Sequence, residues 1–129
     1  MTTPEWKGEE METTDMGTRI EKIAAMAHEV NRLYCQRIND YSQMVWQNAP
    51  NWQRESVFQG VIFLLTNLDA DAAACHESWM RHKVAEGWRY GKEKNVVDKT
   101  HPALVPFNEL SNQEQIKDKL FVAVVRALS

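Results

Sequence analysis

The chain has 129 residues and a mass of 15.0 kDa, with 43% apolar residues, 26% charged residues, five Gly and four Pro. That composition excludes a collagen-like, low-complexity or fully disordered chain, and the length is that of one domain. The net charge is −3, carried by residues 1–17 at −4 against +1 for the rest, which excludes a broad basic surface for nucleic acid.

Residues 1–17 hold one Lys, five acids and two glycines without apolar periodicity. They read as a flexible acidic arm, with residues 18–129 as a single domain. The N-terminus has no basic stretch followed by an apolar one, so no secretory signal is expected. The longest apolar run is Val61-Ile62-Phe63-Leu64-Leu65. A membrane span needs ~18–20 such residues, so none is expected. Cys35 and Cys75 form no framework of spaced pairs, which suits reduced thiols in a cytoplasm.

The first helix is expected to open at Thr18, where Thr18-Arg19-Ile20-Glu21 fits a capping box, and to fade near Asn39-Asp40. Ile20, Ile23, Ala24, Ala27, Asn31, Tyr34, Cys35 and Ile38 keep its spacing. A connector follows to Ala49-Pro50. A second helix spans about 51–68. Its latter half is apolar almost all round, so it is expected to be central and buried. Asp69 or Asp71 can cap a third helix over about 72–86, which Gly87 closes.

Residues 88–107 break the helical pattern. Trp88-Arg89-Tyr90-Gly91 and Ala103-Leu104-Val105 read as two short strands around a Lys-rich loop. Ser111-Asn112-Gln113-Glu114 opens the last helix with a second capping box. The fold expected is mainly α (α+β): about four helices, with a small two-stranded antiparallel hairpin between the third and the last.

The four histidines show no HExxH pattern or Cys/His ligand spacing, so no metal or cofactor is expected. No GxSxG elbow, GxGxxG turn or Walker loop is present, and no activated nucleophile is signalled, so the chain reads as no enzyme. One stretch stands out. His76, Trp79 and Lys83 lie at i, i+3 and i+7, on one face of the third helix. Residues 81–99 carry six basic side chains against three acids. Such a mixture can be core packing with a solvated loop. It also suits a pocket in which aromatic walls stack a base and cationic tips meet a phosphate.

The same stretch carries an ordered pattern: His76-Glu77-Ser78-Trp79, Lys83, Glu86-Gly87-Trp88-Arg89-Tyr90-Gly91, Lys99-Thr100-His101-Pro102 and Val105-Pro106-Phe107-Asn108-Glu109-Leu110. It resembles the ryanodine receptor repeat (RyR) domain, with Phe107 where Tyr is commoner. Upstream, His28-Glu29 through Tyr34-Cys35, Trp46, Ala49-Pro50, Trp52-Gln53-Arg54 and Ser56 look like the stand-alone bacterial and phage members.

The resemblance implies a helical domain with a small β-hairpin and no enzymatic activity. It implies a soluble sensor or sponge for a nucleotide-derived signalling molecule, in a bacterial or phage defence or anti-defence setting. The candidate ligand-binding residues are Arg54, His76, Trp79, Lys83, Trp88, Tyr90, Lys99 and His101. In the receptors the repeat is paired, so a lone copy is expected to form a homodimer. The competing expectation is a protein–protein interaction or assembly domain without a small ligand.

Overall fold

A computed structural model describes the backbone of residues 5–129 and the side chains of residues 16–129. Helix α1 spans Glu5–Arg37, so it begins well ahead of Thr18. The Thr18–Glu21 pattern is helix interior and not a cap. Ahead of it no Pro follows Pro4, and Gly8 and Gly17 each lower helix propensity by about 1 kcal/mol, too little to stop a helix. Of the arm read over 1–17, residues 1–4 lie outside the described residues, as do the side chains up to residue 15, Trp6 included.

Helix α2 spans Asn51–Thr66, α3 spans Ala72–Ala85 and α4 spans Asn112–Leu128. Asp71 caps α3 by accepting the Ala74 N–H at 2.9 Å, and Ser111 caps α4 by accepting the Glu114 N–H at 3.2 Å. Gly87 takes the left-handed conformation, φ 92°, that ends α3.

The core joins all four helices: Ile23 and Ala24 of α1, Val61 and Leu64 of α2, Cys75 of α3 and Val125 of α4, closed by Trp46 of the connector. α2 is not buried all round. Val61 and Leu64 are fully buried, whereas Ile62 is 47% exposed. Apolar residues around α2 outnumber the neighbours available to cover them. α1 holds the connector: His28 Nε2 donates to the Met44 carbonyl at 2.6 Å, and Glu29 accepts the Trp46 N–H at 3.1 Å.

Two strands are present, β1 (Arg89–Tyr90) and β2 (Thr100–His101), but they pair in parallel, not as an antiparallel hairpin. The second strand also falls earlier than Ala103-Leu104-Val105. The reason lies in the 91–99 loop. Asn95 turns back and bridges Thr100 in the antiparallel sense, so the chain re-enters beside β1 running the same way. Lys99 adopts φ 54° to make that entry. Gly91 permits the close approach, since a Cβ there would meet the Thr100 side chain at 2.6 Å.

Candidate functional site

The four helices and the β1–β2 unit enclose a cleft of about 480 Å³, within the range of small-ligand sites. α3 supplies one wall. Its His76, Trp79 and Lys83 all line the cleft, as the i, i+3, i+7 spacing requires, while His82, also at its edge, is exposed. Trp88 follows the Gly87 turn into the same space, and His101 enters from β2.

One end is cationic. Lys83 is buried, 6% exposed, and its Nζ lies 5.2 Å from the Trp88 ring centre and 5.6 Å from that of Trp52. Lys94 Nζ sits 4.4 Å from the Trp52 ring centre. Among the described residues neither ammonium has a carboxylate partner. Their charges rest on indole faces instead. Burial lowers the pKa of both, and for Lys94 the nearby Lys83 charge adds to it. A buried cation, with the exposed Lys94 beside it and no carboxylate paired to either, forms a place prepared for an anion.

The other end holds a histidine–carboxylate pair. His76 Nε2 donates to the Val105 carbonyl at 2.7 Å, and its Nδ1 lies 3.5 Å from Asp118 Oδ2. The ring is fixed by Trp79, stacked at 5.4 Å, and by Phe107 at 6.2 Å. Burial, then the charge of Glu114, pushes the Asp118 carboxyl up to about 7, while Lys117 opposes the shift.

Between the two ends stands His101, its ring 5.0 Å from Trp79 and 6.3 Å from Trp88. Its Nδ1 accepts the Ala103 N–H at 3.0 Å, so a neutral ring carries its hydrogen on Nε2. Burial first, then the Lys94 charge, lowers its pKa to about 4. The ring is therefore a neutral donor at pH 7. Cys75 also lines the cleft, but burial pushes its thiol up to about 12, which leaves it unreactive at neutral pH.

Five of the eight residues expected from sequence thus meet in one cleft: His76, Trp79, Lys83, Trp88 and His101. The other three lie outside it. Arg54 bonds Asn51 and lies 6.0 Å from the Trp46 ring centre. Tyr90 is 56% exposed on β1. Lys99 donates to the Glu86 carbonyl at 2.7 Å and closes the C-terminus of α3. Sequence reasoning missed Trp52, Lys94 and Asp118. Trp52 reads as one more apolar position of α2 and Lys94 as one of several loop lysines. Only the cation–ring approach across 42 residues of chain distinguishes them.

Among the described residues no helix is long and apolar enough to cross a membrane. The model of the RyR domain family matches residues 64–128, half of the chain. That match runs from the end of α2 to the end of α4 and takes in α3, both strands and the Asp118 side of the cleft. The chain belongs to the RyR domain family.

Proposed function

We propose that this cleft binds a small anionic, nucleotide-like ligand and that the protein does so without catalysing a reaction. The observation that carries the reading is the buried, carboxylate-free Lys83 beside Lys94, set among Trp52, Trp79 and Trp88. Base stacking on such rings contributes ~1–3 kcal/mol per base, and the ammonium groups supply charge-assisted bonds to phosphate. On this reading the protein is a soluble, cytoplasmic sensor or sponge for a nucleotide-derived signal. The defence setting, bacterial or phage, rests on the resemblance of the sequence alone.

Calorimetry against a panel of cyclic, linear and ADP-ribose-type nucleotides tests it. Lys83→Ala is expected to weaken the bound ligand by at least about tenfold, the loss of one charged hydrogen bond. It removes a buried unpaired ammonium, so the thermal midpoint of the ligand-free variant stays level or rises. A panel without a binder sinks the reading.

Exposed Met26 and Leu33 on α1, and Ile62 and Leu68 on or just beyond α2, support a second element of the proposal, a homodimer. Light scattering at micromolar concentration is expected to give about twice 15.0 kDa. A monomer mass removes the dimer and returns these faces to the competing reading, a docking surface for another protein.

A further inference from the structure

The proposed function accounts for the cationic end of the cleft and leaves the His76–Asp118 end without a task. His76 and Lys83 are seven residues apart on α3, roughly 10 Å along the helix axis, with Trp79 between them on the same face. The two ends are therefore separate places joined by an aromatic wall.

Asp118 lacks what a carboxylate in such a place normally has. Its Oδ2 is buried and has no hydrogen-bond partner. The nearest polar atom paired with it is His76 Nδ1 at 3.5 Å, and the His76 Nε2 hydrogen is already committed to Val105. A neutral His76 therefore turns a lone pair towards Oδ2, and one proton shared between the two relieves the conflict. Lys117, one residue away on α4, is bound to Glu114 at 2.9 Å and offsets the Asp118 charge only in part. The second oxygen, Oδ1, belongs to a side chain that lines the cleft, and it accepts no hydrogen bond from the described residues.

We infer that Asp118 reads a hydrogen-bond donor of the ligand, so that the cleft takes a phosphate ester of a nitrogen base that carries an exchangeable N–H. The phosphate lies at Lys83 and Lys94, the base along Trp79, and the base N–H points to Asp118 Oδ1. This rests on the reading of the cleft as an anion site. It goes beyond that reading in assigning the base edge and its chemistry. His76 is a positioning residue here: it holds Oδ2 and so turns Oδ1 to the ligand.

The probes are AMP, GMP and purine riboside 5′-monophosphate, which keeps the rings and the phosphate but has no N–H on the base. For the native protein, calorimetry is expected to give AMP or GMP at least about tenfold tighter than the donor-free analogue. Asp118→Leu is expected to bring that ratio to near one while the analogue's affinity holds. Asp118→Asn is the conservative control. Its amide N–H faces His76 Nδ1 and its carbonyl faces the ligand, so the preference survives. Equal binding of all three probes by the native protein overturns the donor assignment and leaves the anion site standing. Binding of none of them, with ribose 5-phosphate also silent, overturns both. A preference that persists in a folded Asp118→Leu protein, with an unchanged melting curve, overturns the assignment to Asp118.

Discussion

Arg126→Ala is expected to destabilise the protein by about 3 kcal/mol, the largest effect of any single surface-side change on α4. The guanidinium reaches from the last turn of α4 to three carbonyls: Leu64 at 2.6 Å, Asn67 at 2.9 Å and Ala70 at 3.0 Å. The last carbonyls of a helix have no partner within it, and α2 ends at Thr66. Asn67 covers the Phe63 carbonyl with its own side chain, at 2.9 Å. Arg126 covers Leu64 and then ties down the turn that leads into α3. Its charge also sits at the negative end of the α2 dipole. Each charged hydrogen bond contributes ~1.5–3 kcal/mol, discounted here because the group is only partly buried. Urea melts measure the loss, and the thermal midpoint is expected to fall by on the order of 10 °C. Lys cannot span three carbonyls with one ammonium, so Arg126→Lys is expected to recover less than half. A loss under about 1 kcal/mol would mean that water replaces the guanidinium at these carbonyls.

Arg126 also marks the limit of what the sequence discloses. Its partners are backbone carbonyls, which every residue possesses, so no spacing betrays them. Features written in side chains were legible: the Ser111 cap, the Asp71 cap, the Gly87 stop and the shared face of His76, Trp79 and Lys83. The Thr18 box was misleading because a capping pattern works only where the preceding residues leave the helix, and α1 already runs through them. The sense of the strand pair was hidden for a related reason. Two short strands with a short loop suggest a hairpin. The reversal is made by Asn95, whose carbonyl and N–H both pair with Thr100. In the cleft, the His76 to His101 stretch declared itself through density of aromatic and basic residues in one segment. Trp52 and Asp118 arrive from helices far along the chain, and each alone is an ordinary helix residue.

Between about pH 4.5 and 6.5 the stability of the protein is expected to be nearly independent of pH, because two opposed proton linkages inside the cleft cancel. Asp118 is raised from 3.8 to about 7, by burial first and by Glu114 second. In that window its native form holds a proton that the unfolded chain has released. Its contribution therefore falls as pH rises towards 7. His101 is lowered from 6.5 to about 4, by burial first and by Lys94 second. In the same window the unfolded chain holds a proton that the native ring refuses, so its contribution rises with pH. The slope of stability with pH follows the difference in bound protons between unfolded and native states. Asp118 supplies minus one and His101 plus one. A single uncancelled proton is worth ~1.4 kcal/mol per pH unit, and incomplete titration near the two ends of the window brings the average to about 1. Asp118→Asn, which keeps the shape of the protonated acid, is therefore expected to gain stability from pH 4.5 to 6.5 at about that rate. His101→Asn keeps an acceptor for the Ala103 N–H and is expected to lose stability over the same range at a similar rate, whatever its absolute stability. The double variant is expected to be flat again. Glu29 and Asp40, both lowered chiefly by hydrogen bonds from values of 4.5 and 3.8, add the same rising slope to all four proteins at the acid end of the window and so do not disturb the comparison. Urea melts at half-unit pH intervals give all four slopes. Single variants whose slopes match that of the native protein would show that the cleft admits enough water to keep both groups at their ordinary values. Asp118 would then be ionised and His101 charged over most of that window.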